Sequence, residues 1–210
     1  MTKKSAGFVF DIETSPKEIT PELTSLLNHK TRNVVPEKLD AEKQRYSFIS
    51  PVYAKVISIS TAWDDGRGTP TVYTFFDRND EYSLLKSFVE YLQQWNGRYV
   101  HFNGLDFDVP FIMYKCAQYD ISLPPAFTNL IRFRFDPHFD IMQALSSWGK
   151  FPVSLAEVLT TFGFTNSKDY LNDMDTLTFL LTASDEDIKK YNEADVIGTY
   201  HVFRRICNRF

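Results

Sequence analysis

A chain of 210 residues, 43% hydrophobic and 24% charged, fits one α/β domain over residues 1–210, and its formal charge of -4 argues against a protein that coats nucleic acid, although not against an enzyme acting on it. No apolar stretch approaches the roughly 18–20 residues that span a bilayer, and no N-terminal run resembles a signal peptide, so a cytoplasmic protein without membrane partners is expected. Cys116 and Cys207, without a C-x-x-C pair, suit two reduced thiols better than a disulfide scaffold or a zinc ribbon.

Residues 8–14 alternate, with Phe8, Phe10 and Ile12 on one face and Val9, Asp11 and Glu13 on the other, the period of a strand. Residues 17–47 are polar, with Pro21 and Pro36 as breakers; a short helix is predicted between Pro21 and His29 within what reads as an insertion or flap. Val52 to Trp63, the turn-forming cluster 64–68 and Thr71 to Phe76 predict a hairpin. Leu84, Leu85, Phe88, Leu92 and Trp95 recur at helical spacing across 81–95, and Tyr99 to Phe102 predicts a further strand. A helix follows over 107–119, then a short strand over 131–135, then helices over 141–148, 154–162, 175–182 and 185–206, with Ser184 and Asp187 as a capping pattern for the last. Strands early and helices late predict a central mixed β-sheet flanked by α-helices.

Three groups of residues carry chemistry. Asp11-Ile12-Glu13 alone is a half-buried strand with two acids on one face, but it ends an apolar run, where a sheet edge opens onto a cleft. Asn103-Gly104-Leu105-Asp106-Phe107-Asp108 follows a strand and opens a helix; Asp106 and Asp108 are both candidate ligands, and each is equally a candidate helix cap. In Tyr191-Asn192-Glu193-Ala194-Asp195, four-residue spacing stacks Tyr191 over Asp195, and the neighbouring Val196, Ile197, Tyr200 and Phe203 pack the helix on the body, so a carboxylate there wants a partner.

In this order the three groups resemble the motifs D-x-E, N-G-x-x-F-D and Y-x-x-x-D of the tyrosine branch of the DEDD 3′–5′ exonucleases, in the DnaQ-like, RNase H-like superfamily. The resemblance is nearest to the proofreading domain of family B DNA polymerases and to stand-alone exonucleases related to it, because Phe48-Ile49-Ser50-Pro51, Phe139-Asp140-Ile141-Met142 and Ser154-Leu155-Ala156-Glu157 also sit where that group has similar segments. It covers residues 7–207 and is weakest over 17–47. It implies an RNase H-like fold, with Asp11, Glu13, Asp108 and Asp195 as the metal-binding acids and Tyr191 positioning the attacking water; Asp106 drops out. Since the chain ends at Phe210, soon after the third motif, the expectation is a free-standing nuclease, or one working beside replication or repair proteins.

The chemistry suits these residue types. Two divalent ions about 3.5–4 Å apart stabilise the attacking water, the phosphoryl group and the leaving oxygen, and hard oxygen donors select Mg2+ or Mn2+ over zinc. Crowded carboxylates repel, so the metal-free pKa values should rise and metal binding should release protons. A phenol with a reference pKa of about 10 stays protonated, so Tyr191 orients the water rather than acting as a strong base, with Glu13 sharing that role. The expected reaction releases nucleoside 5′-monophosphates from the 3′ end of single-stranded DNA. The alternatives are an exoribonuclease on the same site, distinguished through the 2′-hydroxyl, and a non-catalytic nucleic-acid-binding module of the same fold.

For the substrate strand, Arg132-Phe133-Arg134-Phe135 interleaves cations and rings; the plain alternative is a strand with arginines facing water and phenylalanines inward. Asn103, Phe107, Phe102 and Phe111 lie near the second motif, with core packing the ordinary fate of such rings. Lys168, in a polar loop, reads as solvated or as a phosphate contact. His101 is a candidate to face the cleft, whereas His29, His138 and His201 lack ligand spacing.

Overall fold

A computed structural model of the chain describes residues 7–63, 69–131, 133–151 and 153–207. Five strands, β1 (Gly7–Pro16), β2 (Ala54–Trp63), β3 (Thr71–Phe76), β4 (Arg98–His101) and β5 (His138–Asp140), form one sheet in the order β3-β2-β1-β4-β5. β1 and β2, and β2 and β3, pair antiparallel; β4 pairs parallel to β1 and β5 parallel to β4. The mixed sheet and its helical cover are the α/β arrangement expected.

The alternation along β1 sorts the two layers. Phe8, Phe10 and Ile12 pack against α3 (Glu81–Leu92) and α4 (Asp108–Gln118), through Leu85, Phe88, Leu92, Val109 and Ile112. Val9 points the other way, into a cluster with Val158 and Leu159 of α6 (Leu155–Phe162) and Val196, Tyr200 and Phe203 of α8 (Asp185–Cys207). By the same period Asp11 and Glu13 face α8, so the long C-terminal helix roofs both acids. An irregularity follows: Glu13 pairs with Ser58 but Thr14 with Val56, leaving Ile57 as an extra residue on β2. Ile59 therefore packs with the α3/α4 layer, whereas Ile57 joins Phe48, Phe179 and Tyr191 in a third cluster.

Helix ends follow their side chains. Asp80 accepts from Ser83 N at the start of α3, a reciprocal Ser154–Glu157 capping box opens α6, and Ser184 accepts from Asp187 N ahead of α8. Residues 17–47 hold more order than one short helix: α1 (Pro21–Lys30) is followed by α2 (Pro36–Ile49), which buries Phe48 and whose Phe48 carbonyl accepts from Thr14 Oγ1 at 2.8 Å. α2 as a whole escaped the sequence reading because apolar residues are sparse along it.

Three expectations need correction. The described residues of 131–135 form no strand, because Phe133 adopts a φ of 63°, incompatible with extended backbone; the edge strand is β5, three residues later. The phenylalanines there are not inward: Phe133 is 69% and Phe135 38% exposed. The helix expected over 141–148 is α5 (Ile141–Leu145), ended by positive φ at Ser147 and Trp148. Arg132 and the turn at 64–68 lie outside the described residues. The helices over 175–182 and 185–206 are observed as α7 (Thr176–Thr182) and α8. Among the described residues no helix is long and apolar enough to cross a membrane.

Removing a central ring tests this layering. Phe10→Ala, which empties a site shared with Phe88, Tyr99 and Phe127, should cost about 3–5 kcal/mol in urea unfolding, whereas Phe133→Ala should cost less than about 1 kcal/mol.

Candidate metal centre

Each acid is placed by a different constraint. Asp11 and Glu13 share a face because they are two residues apart on a strand, and Asp195 comes down from α8 with Tyr191 one turn before it. Carboxylate oxygens of Asp11, Glu13 and Asp195 all lie within 4.8 Å of one another. Asp108, buried at the first turn of α4, stands beside this triad: its Oδ1 accepts from Ile12 N at 2.9 Å, the amide between Asp11 and Glu13. That bond also ties the second motif to the first strand.

The turn preceding Asp108 is held from below. Asp140, at the end of β5, accepts from Asn103 N (3.0 Å) and Gln143 N (3.2 Å) with one oxygen and from Leu105 N (3.1 Å) with the other. His101 Nδ1 lies 3.2 Å from the second oxygen, His101 Nε2 lies 3.2 Å from His138 Nδ1, and His138 Nε2 lies 2.9 Å from Phe127 O. His101 is therefore buried under the turn and does not face the cleft. Gly104 permits this arrangement, since a Cβ there would stand 2.5 Å from His101 Cγ. Asn103 holds a left-handed φ of 65°, which asparagine tolerates. Burial holds the His138 imidazole down at about 4, with nearby His101 adding to the shift, so it is neutral.

The other sequence candidates separate clearly. Asp106 is exposed, accepts from Gln143 Nε2 at 2.9 Å and is not one of the three acids whose oxygens converge. Phe111 is core, and Phe107 and Phe102 are half-buried, Phe107 against Phe111 at 5.6 Å and Phe102 against the α6/α8 layer. Arg134 is exposed on the loop before β5.

Several contributors were not legible in the sequence. Lys168, in a short 3-10 helix (Ser167–Leu171), is not merely solvated: Nζ donates to Tyr191 Oη at 2.9 Å and to Thr176 Oγ1 at 3.0 Å. Neighbouring Ser167 donates to Asp195 Oδ1 at 2.6 Å. Asn192 donates to Asp11 Oδ2 at 2.7 Å while accepting from Ser58 Oγ at 2.8 Å. No spacing rule flags these residues; only adjacency to Tyr191 marked Asn192.

Electrostatics follow from burial. Desolvation first, then the charges of Asp108, Asp195 and Glu13, lift the Asp11 carboxyl well above its usual range. Glu13 is lifted by burial and by Asp195, against a lowering pull from Lys168. Burial pushes Asp108 and Asp195 up to about 6, opposed by His101 in one case and by the Ser167 hydrogen bond and Lys168 in the other. Burial and then Asp195, Glu13 and Asp11 push the Tyr191 phenol upward, which keeps it protonated. The triad offers carboxylate oxygens and no histidine or cysteine, the donor set that suits magnesium or manganese and that zinc does not favour.

A family model described as a predicted 3′–5′ exonuclease related to the exonuclease domain of PolB matches residues 46–209, a span that includes Asp108, Tyr191 and Asp195 and excludes β1. Among solved structures, the family B DNA polymerase of the hyperthermophilic archaeon Pyrobaculum calidifontis is similar over 96% of this chain, at 14% identity and a TM-score of 0.63; the likeness spans 24% of the polymerase. The chain thus corresponds to about a quarter of that protein, and the likeness shows the fold, RNase H-like. The zinc-bound E. coli ExoI–ssDNA complex is similar at 10% identity and a TM-score of 0.46, over 97% of this chain and 43% of that one. No curated protein matches the chain significantly.

The raised carboxyls set a pH dependence. Each titrates higher in the folded chain than in the unfolded one, so the folded state binds more protons from about pH 4 upward, and stability falls as pH rises through the folded pKa values. Metal-free protein should melt higher at pH 5 than at pH 7.5 in chelator, and Mg2+ or Mn2+ at pH 7.5 should raise the melting temperature with proton release measurable by calorimetry in two buffers. Equal melting at both pH values would refute the raised carboxyls.

Proposed function

The chain belongs to the family of predicted 3′–5′ exonucleases related to the exonuclease domain of PolB, and from that premise we propose that it hydrolyses the terminal phosphodiester of single-stranded DNA. Asp11, Glu13 and Asp195, with Asp108 beside them, would hold two divalent ions, Mg2+ or Mn2+, and the products would be nucleoside 5′-monophosphates. The observation that carries the reading is the approach of the Asp11, Glu13 and Asp195 oxygens to within 4.8 Å, with Glu13 buried and Asp11 half-buried. Such a cluster opposes folding unless cations balance it. Bound magnesium or manganese supplies that balance, acidifies water and stabilises the phosphoryl oxygens.

The protein's own groups do the positioning. Tyr191, protonated, donates a hydrogen bond to Asp195 and so steadies that carboxylate. With Lys168 also donating to it, the phenol oxygen keeps a lone pair to accept from the attacking water. Glu13, beside Asp195 and buried, is the carboxylate that receives the water's proton. Asn192 and Ser167 stop Asp11 and Asp195 from turning away from one another. Asn103, held by Asp140 at the turn, and the half-buried rings of Phe102 and Phe107 are suited to the terminal nucleotide. DNA is preferred because the family is defined by its relation to a DNA polymerase's exonuclease domain.

Incubation of 5′-labelled single-stranded DNA with Mg2+ should give a ladder shortening from the 3′ end, abolished by chelator and reduced at least about 10³-fold by Asp11→Ala or Asp195→Ala. Matched RNA and duplex should be degraded more slowly. Variants as active as wild type would sink the assignment. Tyr191→Phe should lower kcat by roughly 10²-fold with metal affinity kept, and calorimetry showing lost affinity would overturn the water-positioning role.

A further inference from the structure

Beyond the carboxylate cluster, exposed rings gather at the outer edge of β5. Phe139 packs with Val9 and Phe203 on the face that carries Asp11 and Glu13. From it a ladder runs outward: Phe135 lies 5.0 Å from Phe139, Trp148 stacks on Phe135 at 5.6 Å and 23°, and Phe133 meets Trp148 at 5.0 Å. Phe133 is 69% and the nearby Phe151 60% exposed. Left exposed, such rings forfeit about 1.5–3 kcal/mol each of burial energy. Phe133 and Trp148 are moreover held at positive φ, a conformation bulky residues avoid.

Cations accompany the rings. The Lys150 ammonium lies 5.6 Å from the Phe151 ring and the Arg98 guanidinium 5.4 Å from Phe139, and Arg134 is exposed between Phe133 and Phe135 in the chain. The acids of residues 130–151 are Asp136, engaged by Arg98 at 2.7 Å, and Asp140, buried under the second-motif turn. A chain of net charge -4 thus concentrates positive charge where its rings are bare.

We propose that this ledge is a second contact for single-stranded nucleic acid, stacking bases 5′ of the terminal nucleotide while the cations meet phosphates; this rests on the exonuclease reading above. Rings with open faces and interleaved cations are what an unpaired strand requires. Separation fits as well. Phe139 aligns through Val100 with Val9, two residues along and two strands across from Asp11, a separation of about 12 Å. The ladder through Phe135 and Trp148 to Phe133 runs outward from there, so its exposed rings stand on the order of 20 Å from the triad, about six nucleotides at a stacked rise of roughly 3.4 Å. A tetranucleotide held at the triad falls short of it; a 15-mer reaches.

The test is fluorescence anisotropy of labelled dT15 and dT4 in chelator, comparing wild type with the Phe133→Ala/Phe151→Ala double variant, whose changes are at the surface. Expected is roughly 10-fold weaker binding of dT15 or more, with dT4 binding, and dT4 hydrolysis once Mg2+ is restored, unchanged. Unchanged dT15 binding, or equal losses for both lengths, overturns the proposal. So does sedimentation showing a wild-type dimer that the variant splits, which would make the ledge a contact between copies. Binding in chelator needs no hydrolysis, so an inactive protein that still shows the length-dependent loss would sink the catalytic reading and leave the ledge standing.

Discussion

Like charges held closely, away from water, are the constraint around which this protein is built. Two carboxylates separated by 4.8 Å repel by about 3–4 kcal/mol at an effective dielectric constant of about 20, and Asp11, Glu13 and Asp195 form three such pairs. A hydrogen bond to a charged group contributes about 1.5–3 kcal/mol, so the bonds from Asn192 and Ser167 do not offset the repulsion alone. Protons or cations must complete the balance. Burial above all, and at Asp11 and Glu13 the neighbouring acids as well, holds the metal-free carboxyls above their usual range, and this cluster is the cation site we propose.

The rest of the architecture holds the acids against that repulsion. β1 is clamped between β2 and β4 in the middle of the sheet, so its odd-numbered side chains cannot swing from α8. α8 is anchored by Val196, Tyr200 and Phe203, and its polar residues near the site are each occupied: Tyr191 by Lys168, Asn192 by Ser58 and Asp11, Asp195 by Ser167. The extra residue at Ile57 sends that side chain into the cluster beneath Tyr191, which couples the sheet's irregularity to the helix that roofs the site. Asp140 and the buried histidines do the same for the second motif, turning its Asn103 and Leu105 amides toward one carboxylate just ahead of α4.

Strand alternation and helix spacing are local properties of the chain, and for that reason they were readable. Phe8 to Glu13 announced both a strand and a shared face for two acids, Tyr191 and Asp195 had to stack on one helix, and the pattern of apolar residues located β2, β3, α3, α4, α6, α7 and α8. Motif order supplied the family and the RNase H-like fold. Where local signals were weak the reading failed: α2 has few apolar residues, β5 has three residues, and the alternating Arg132–Phe135 segment imitates a strand that positive φ at Phe133 forbids.

What only the tertiary structure decided is which residues far apart in sequence meet. Asp108 reaches an amide 96 residues away, Asn192 reaches Asp11 across 181, and Lys168 finds Tyr191 from a loop with no periodic signal. His101 became a buried support because β4 and β5 lie side by side, a pairing that no spacing encodes. The sequence determined the chemical types of the site through short-range periodicity; closing long loops brought the partners that orient them, and that closure depends on packing the whole chain at once.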